Sequence, residues 1–367
     1  MPATHGLEEL LAYHPAAPVL SVYLDLDPSA GIDGQRLQLR EVTRPFEDEA
    51  PEDVDAVRRY LDHEHDGSGR SLALFSNQED GFFRTFGLAL PLRTRARRLD
   101  RPYVKPLIDF IDSYGHLGVA VVDRQNARFY HLDLGQVIAE AEFKGEEVRR
   151  VKSGGGSQEV GRRGGAAGQT RYAEELAERN LRQAAAEASE FFKTQGVRRL
   201  VVAGTEENQA YFHAALPKAW RSLVIGSFPI DTYAGTAEVT AKALAVARQV
   251  DDVRERKLVE RMVTAAAKEQ DAVVGLDQTL EAVHAGKVQM LVVSEGYRAD
   301  GFRCSSCGFL TSQSLDNCPF CDGVFVHIED AVEDAIQVVL EKGGEIEIVH
   351  HNHQLEQAGQ IGALLRY

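Results

Sequence analysis

Short apolar segments alternate with charged helical segments along most of this chain, and that alternation constrains the fold more than any other feature. The apolar segments are rich in Val, Ile and Leu, as buried strands are, whereas the segments between them repeat their apolar residues at helical spacing. The strands predicted in this way are 19–25, 71–76, 118–123, 200–204, 223–228, 290–295 and 345–349. Strands that alternate with helices build α/β sheets, so the sequence predicts an α/β protein.

The length of 367 residues is too great for one ordinary domain. The 44% of hydrophobic residues can fill real cores and excludes global disorder. We expect three consecutive α/β domains, at 1–114, 115–247 and 248–367, with a charged helical connector near the start of the last one. The third domain is interrupted at about 301–323 by an insertion that contains all four cysteines.

The cysteines form the most specific short motif, a pair of Cys-x2-Cys turns separated by ten residues. They are Cys304, Cys307, Cys318 and Cys321. Each turn places two thiolates side by side, and four thiolates in tetrahedral geometry suit Zn²⁺. Two disulfides or a thioredoxin-like redox pair are the alternatives, and the paired spacing disfavours both. The motif therefore predicts a zinc ribbon, in which a closed four-cysteine site stabilises the fold rather than catalyses.

Several classes of protein are excluded by composition. Four cysteines in a chain of this length exclude a disulfide-stapled secreted scaffold. The sequence has no run of about 18 apolar residues, and its first residues, MPATHGLEEL, lack the basic-then-apolar pattern of a signal peptide. We therefore expect a cytoplasmic protein without a membrane partner.

The net charge of -15 argues against extensive contact with nucleic acid, because phosphates are neutralised by Lys and Arg. The charge is uneven, however. Residues 46–66 carry nine acidic side chains and two Arg, whereas 93–105 and 148–173 each carry six positive charges and one negative charge. An acidic protein with focused basic patches can still approach RNA locally. For 93–105, a solvated helix edge and an RNA contact both remain open.

The segment from Lys152 to Tyr172 (KSGGGSQEVGRRGGAAGQTRY) is the least ordinary part of the chain. It has seven glycines between 154 and 168, and helical spacing of apolar residues begins only at Ala173. Neither a GxxxxGK[ST] loop nor a GxGxxG turn is present. Its chemical features are a basic pair, Arg162-Arg163, beside Gly164-Gly165, followed by Gly168-Gln169. From spacing alone, a flexible linker and a functional loop both remain open.

Other chemistry-bearing patterns are weak. His350, His351 and His353 follow strand 345–349 without the spacing of a partner carboxylate, so we expect a surface turn. The sequence has no GxSxG elbow and no HExxH motif.

Residues 161–192 (GRRGGAAGQTRYAEELAERNLRQAAAEASEFF) and 198–216 (RRLVVAGTEENQAYFHAAL) resemble the central domain of archaeal and eukaryotic class-1 peptide-release factors. In that family a Gly-Gly-Gln loop precedes a long charged helix. Residues 274–295 and the terminal EIEIVHHNHQLEQAGQIGALLRY resemble the third domain of the family, in which archaeal members carry a similar four-cysteine ribbon. The bacterial branch, related also to Pelota and to eukaryotic ribosome-rescue peptidyl-tRNA hydrolases, is the most similar. The resemblance covers roughly 115–367 and is weaker before it.

The chain departs from the family pattern in two places. Ala166-Ala167 separates Gly164-Gly165 from Gly168-Gln169, so no literal Gly-Gly-Gln is present. The run Gln169-Thr170-Arg171-Tyr172 resembles the Gln-x-Arg-Tyr of bacterial relatives, and Gln169 is therefore the residue that the resemblance identifies. The first domain has neither the Asn-Ile-Lys-Ser nor the Tyr-x-Cys-x-x-x-Phe element that reads stop codons, which argues against codon-specific termination.

The resemblance implies a protein that enters the ribosomal A site. Gln169 and Gly168 would be its catalytic residues for codon-independent hydrolysis of peptidyl-tRNA during ribosome rescue. RNA contacts would come from Arg162, Arg163, Gly164, Gly165 and Arg171. The implied partners are the ribosome, through rRNA and P-site tRNA, and as a further candidate a translational GTPase, but no DNA. Two alternatives stay open: a non-hydrolytic hibernation factor that occludes the A site, and an RNA-binding or adaptor protein.

Overall fold

The computed structural model describes residues 3–67, 69–148 and 165–366. In these ranges the backbone forms helices and four β-sheets, which confirms the α/β class. The chain separates into two compact units: unit one consists of Met1–Asp112 and Asp251–Tyr367, and unit two of Ser113–Val250. The division into three consecutive domains stays a prediction. None of the described helices is both long enough and apolar enough to cross a membrane.

The N-terminal part of unit one is an antiparallel sheet of order β3-β2-β1-β4 with helices packed on it. Its elements are α1 (Ala3–Ala12), β1 (Val19–Asp25), α2 (Gly31–Thr43), α3 (Pro51–Arg59), β2 (Ser71–Asn77), β3 (Phe82–Leu88), β4 (Arg95–Leu99) and α4 (Lys105–Tyr114). Short 3₁₀ turns lie at Pro28–Ala30 and Arg44–Phe46, and a π-helical turn lies at Tyr60–Glu64. Leu39 of α2 and Val57 of α3 are buried against the apolar face of the sheet, which fixes both helices there.

The basic stretch 93–105 is a strand and the start of a helix, so its interpretation as a solvated helix edge is wrong. Ala96 of β4 lies opposite Val22 of β1 in the core, and arginines occupy the neighbouring positions. This alternation with a period of two is the pattern of a half-buried strand. Three of its arginines are paired with acids, Arg95 with Glu295, Arg98 with Glu49 and Arg101 with Glu341.

Unit two has one five-stranded sheet of order β7-β6-β5-β8-β9. Its elements are β5 (Leu117–Val122), β6 (Asn126–Asp133), β7 (Gln136–Lys144), α5 (Gly165–Thr194), β8 (Arg199–Gly204), α6 (Glu206–Ala215), α7 (Lys218–Arg221), β9 (Val224–Phe228) and the start of α8 (Thr236–Ala267). Strands β5, β8 and β9 are parallel, and β6 and β7 run antiparallel to their neighbours. Because α5 returns the chain to the start of β8, its N-terminal end lies towards the carboxyl ends of the parallel strands.

The C-terminal part of unit one has two sheets, of order β10-β16-β11-β15 and β13-β12-β14. Its elements are β10 (Ala272–Val274), α9 (Leu276–His284), β11 (Val288–Ser294), β12 (Gly301–Cys304), β13 (Leu310–Thr311), β14 (Phe325–Ile328), α10 (Ala331–Glu341), β15 (Glu345–Val349), α11 (His353–Gln357) and β16 (Ile361–Leu365). The three-stranded sheet belongs to the cysteine insertion. Helix α10 begins at Ala331, three residues later than the helix that the sequence predicts over 328–342, because Asp330 is its N-cap and its side chain accepts from the Glu333 N–H at 3.2 Å.

Candidate functional site

Unit two carries the glycine-rich segment between β7 and α5. The C-terminal two thirds of α5 is anchored in the core, where Leu181, Ala184, Ala188 and Phe192 pack against the sheet. These residues recur at helical spacing, as the sequence predicts. The segment is therefore attached to a helix that is firmly held at its far end.

Asn180 of α5 forms hydrogen bonds to the backbone just before the glycine-rich segment, and thereby connects the two ends of that segment. Its side chain is 1% exposed, and its Nδ2 donates to the Glu146 carbonyl at 2.8 Å and to the Arg124 carbonyl at 3.1 Å. Its Oδ1 accepts from the Glu146 N–H at 3.0 Å. A Cβ on Gly145 would lie 2.5 Å from Asn180 Cγ, so only glycine lets the backbone come this close. Sequence reasoning missed Asn180, whose only signal is one amide among the apolar residues of α5.

The described side chains near the N-terminal end of α5, at 171–175, are not buried in the core. Leu176 is the first buried residue among the described side chains of α5, and Tyr172 is 66% exposed. From Leu176 the backbone continues as a helix to Gly165, about 16 Å at 1.5 Å per residue. Arg171 lies in this part with its side chain exposed, 3.4 Å from Glu175 one turn on. The geometry is that of a helical arm that exposes Arg171 and Tyr172 near its end.

The residues predicted for catalysis and RNA contact fall in or next to this arm. Arg162, Arg163 and Gly164 lie outside the described residues. Gly165 is the first residue of α5, and the backbone at Gly168 and Gln169 is helical, although the sequence predicts a loop up to Tyr172. Ala166 and Ala167 between the two glycines have the highest helix propensity of all residues, whereas Gly165 and Gly168 each cost about 1 kcal/mol relative to alanine. The catalytic and RNA-binding roles of these residues stay predictions.

The four cysteines converge in the insertion of unit one. Their sulfur atoms all lie within 4.8 Å of one another. Cys304 Sγ is 3.4 Å from Cys321 Sγ, and Cys307 Sγ is 3.5 Å from Cys318 Sγ. Four sulfurs bonded to one metal at about 2.3 Å in a tetrahedron would lie about 3.8 Å apart. The observed spacing fits one tetrahedral ion held by the set predicted from the sequence.

Each cysteine turn is closed by backbone hydrogen bonds. The Gly308 N–H donates to the Cys304 carbonyl at 3.0 Å, and the Asp322 N–H donates to the Cys318 carbonyl at 2.9 Å. Gly308 has a φ of 74°, which glycine adopts without strain. The N–H of Cys307 lowers the pKa of the Cys304 thiol to about 6, whereas hydrogen bonds with the neighbouring thiols raise the pKa of Cys307 and of Cys321. The chemistry of the turns therefore suits a metal site.

A buried polar network joins the start of α4 to the C-terminal part of unit one. Lys105 Nζ donates to the carbonyls of Ser294 at 3.2 Å and Tyr297 at 3.0 Å, and Glu333 Oε1 accepts from the Val104 N–H at 3.1 Å. Burial lowers the pKa of Lys105 and raises the pKa of Glu333, because both charged forms lose their hydration. The sequence gives no sign of this network, since its members lie 189 to 229 positions apart.

His350 is part of a second polar contact in unit one and not of an isolated surface turn. Its Nε2 lies 3.3 Å from Asp109 Oδ2, and its Nδ1 lies 3.6 Å from Glu255 Oε1. The hydrogen bond with Asp109, followed by the one with Glu255, raises the pKa of His350 to about 11, so the imidazole is charged at neutral pH. Both carboxylates are far away in sequence, which is why spacing shows no partner.

Two family models match the chain in adjoining ranges. Residues 102–248 match the model described as "Bacterial archaeo-eukaryotic release factor family 10". Residues 253–367 match the model described as "eRF1 domain 3". The first range contains the glycine-rich segment and α5, and the second contains the cysteine insertion.

Two named proteins are similar to this chain in sequence. Peptide chain release factor subunit 1 of Thermococcus sibiricus is 25% identical over 76% of this chain and 72% of the relative. The corresponding protein of Archaeoglobus fulgidus is 27% identical over 43% of this chain and 42% of the relative. Among solved structures, a translation termination-like factor of S. cerevisiae involved in RNA quality control pathways is 9% identical, with a TM-score of 0.43 over 81% of this chain and 79% of that one. With the two family models matched in order from residue 102 to residue 367, the chain is release-factor-like over that range.

Proposed function

We propose that this protein enters the ribosomal A site and promotes codon-independent hydrolysis of the peptidyl-tRNA ester, as in ribosome rescue. The family assignment supports a role on the ribosome. The relatives are peptide chain release factors by name, and the first of them matches over most of both chains. The missing stop-codon elements of the first domain are the reason for proposing rescue rather than termination. A translational GTPase stays a predicted partner.

The observation that carries the proposal is the helical arm of α5. Its far end is anchored through Leu181 and Phe192, while the helical backbone that contains Gly168 and Gln169 begins about 16 Å before Leu176, the first buried residue among the described side chains of this helix. Asn180 holds the chain on both sides of the glycine-rich segment. A narrow helical arm that is anchored at its far end can reach into a confined RNA site.

The proposed chemistry needs positioning more than acid–base groups on the protein. Water attacks the ester carbonyl carbon, the bond to the tRNA ribose oxygen breaks, and that oxygen takes up a proton through the tRNA ribose and rRNA. Gly168 permits close packing on RNA, and the Gln169 amide orients the water. Arg162, Arg163, Gly164, Gly165 and Arg171 would make the RNA contacts, with the arginines neutralising phosphates.

One observation favours a second candidate, a non-hydrolytic factor that occludes the A site of idle ribosomes. In a helix that begins at Gly165, the backbone N–H of Gln169 is bonded to the Gly165 carbonyl. It is then unavailable to a water molecule, and only the side-chain amide is left to orient one. The departure from a literal Gly-Gly-Gln points in the same direction.

For the cysteine cluster we propose structural Zn²⁺. The ion would be held by Cys304, Cys307, Cys318 and Cys321, and all four positions of a tetrahedral site would then be filled by protein. Such a site stabilises the insertion and leaves no position for a substrate.

A paired assay on purified ribosomes distinguishes the two candidates. Release of labelled peptide is measured on ribosomes stalled with peptidyl-tRNA, and cosedimentation is measured on empty ribosomes with the same protein preparation. The hydrolase proposal predicts release that is independent of the codon in the A site. Strong cosedimentation without any release would instead support the second candidate, a non-hydrolytic factor that occludes the A site of idle ribosomes.

A further inference from the structure

Each of the two cysteine turns has one buried and one exposed cysteine. Cys304 and Cys318 are 2% and 3% exposed, whereas Cys307 and Cys321 lie at the surface. Cys307 also lines a cavity of about 270 Å³, which is far larger than a peroxide molecule. A small oxidant in solution therefore has access to one cysteine of each turn, while the other cysteine of that turn is shielded.

The fold brings the exposed cysteine of one turn against the buried cysteine of the other turn. Cys321 Sγ lies 3.4 Å from Cys304 Sγ, and Cys307 Sγ lies 3.5 Å from Cys318 Sγ. Gly323 permits this approach, because a Cβ at that position would lie only 2.9 Å from Cys304 Sγ. Both contacts run between the turns, so a disulfide at either of them would join the first turn to the second.

This pairing of an accessible sulfur with a shielded one suits a reaction with peroxide. A bound metal keeps cysteine sulfurs deprotonated, and the thiolate is the form that reacts with oxidants. We propose that the cysteine cluster is a site of reversible oxidation by a hydroperoxide, with the two cross-turn disulfides Cys304–Cys321 and Cys307–Cys318 as its products. The thiolate state in this proposal rests on the structural Zn²⁺ proposed above, whereas the function on the ribosome does not enter it.

Each cross-turn disulfide forms in two steps. With hydrogen peroxide, the exposed thiolate attacks one oxygen, the O–O bond breaks, and the sulfur becomes a sulfenic acid while hydroxide leaves. The buried thiolate of the other turn then attacks this sulfur, so that the S–S bond forms and a second hydroxide leaves. Two electrons pass from the two sulfurs to the peroxide, and both hydroxides take up protons to give water. Sulfurs in a disulfide are no longer thiolate ligands, so the set of four metal ligands is lost.

The test starts from the full chain purified with a reductant that is then removed. Hydrogen peroxide is added, released zinc is measured with a colorimetric chelator, and disulfides are mapped by mass spectrometry of an unreduced digest. The double variant Cys307→His with Cys321→His lacks both exposed sulfurs and keeps a set of two cysteines and two histidines that binds zinc. The single variant Cys307→His is the matched control, because it leaves the contact between Cys304 and Cys321 in place. Circular dichroism and the zinc content before oxidation verify folding.

We expect wild type to form both cross-turn disulfides and release its zinc, and Cys307→His to form only Cys304–Cys321. The double variant should release zinc about tenfold more slowly, because its remaining sulfurs are buried. A dithiol reductant with added zinc should restore wild type.

Two results would overturn the proposal: zinc release from wild type as slow as from the double variant, and disulfides that form only within the turns. Reduced wild type without zinc would contradict the zinc proposal instead. The disulfide map of that protein would then still decide whether the cross-turn oxidation takes place.

Discussion

Replacing Asn180 by alanine should loosen the glycine-rich segment at both flanks. The change removes three hydrogen bonds of 2.8 to 3.1 Å, two to Glu146 and one to Arg124. A hydrogen bond contributes about 1 kcal/mol net, and a buried partner left unpaired costs more. Because Glu146 is exposed and water can satisfy part of its backbone, we expect a loss of about 2 to 3 kcal/mol in the free energy of unfolding.

The assay follows the fluorescence of Trp220 during urea unfolding. Trp220 is the single tryptophan of the sequence and packs against the core of unit two, with its ring 5.9 Å from that of Phe192. Its signal therefore reports the unfolding of unit two. Asn180→Asp serves as a second variant, because it keeps the acceptor Oδ1 and removes the donor to the Glu146 and Arg124 carbonyls.

A matched control separates the anchor from the helix itself. Gln183 lies on the exposed face of α5, three residues from Asn180, and Gln183→Ala should change stability by less than about 0.5 kcal/mol. If Asn180→Ala has the same free energy of unfolding as Gln183→Ala, then the hydrogen bonds of Asn180 do not stabilise the flanks of the glycine-rich segment, which contradicts this prediction.

Three further predictions concern metal, RNA and pH. Purified protein should contain about one zinc per chain, measured by atomic absorption, and Cys304→Ser should reduce that content while unit two stays folded; metal-free protein with two disulfides would contradict this. Reversing Arg162 and Arg163 to Glu should weaken cosedimentation with ribosomes and flatten its salt dependence, and unchanged binding across a salt series would assign the RNA contact elsewhere. Since His350 has a raised pKa, its stabilising contribution should be complete below its usual pKa of 6.5 and lost as the pH rises to about 11. The unfolding free energy of His350→Gln should therefore approach that of wild type across this window, and a difference independent of pH would contradict the ion pair.

Local patterns predict the elements of this protein well. The strand Val19–Asp25 and the helix through Leu181 and Phe192 follow directly from the spacing of apolar residues, because each buries one face against a neighbour. The cysteine cluster can be predicted equally well from the sequence, because each half of the site is one Cys-x2-Cys turn.

Contacts between residues that are far apart in sequence cannot be predicted from local patterns. Asn180, Lys105 and His350 act through partners that are close in space and far apart in sequence, and no periodicity marks them. The predicted start of α5, at Ala173, differs from the observed start at Gly165 for another reason. Seven glycines indicate a loop, but α5 begins at Gly165 and includes Gly168, with the alanine pair Ala166-Ala167 between these two glycines.

The most direct test of the proposed hydrolytic function compares Gln169→Ala with Gln183→Ala on the same helix. Peptide release from stalled ribosomes is measured for both variants, together with cosedimentation and Trp220 fluorescence to verify binding and folding. The account predicts that Gln169→Ala binds ribosomes like wild type and loses most of its release activity, whereas Gln183→Ala keeps it. Release by Gln169→Ala at the wild-type rate would contradict the assignment of Gln169, and absence of release from wild type itself would contradict the hydrolytic function.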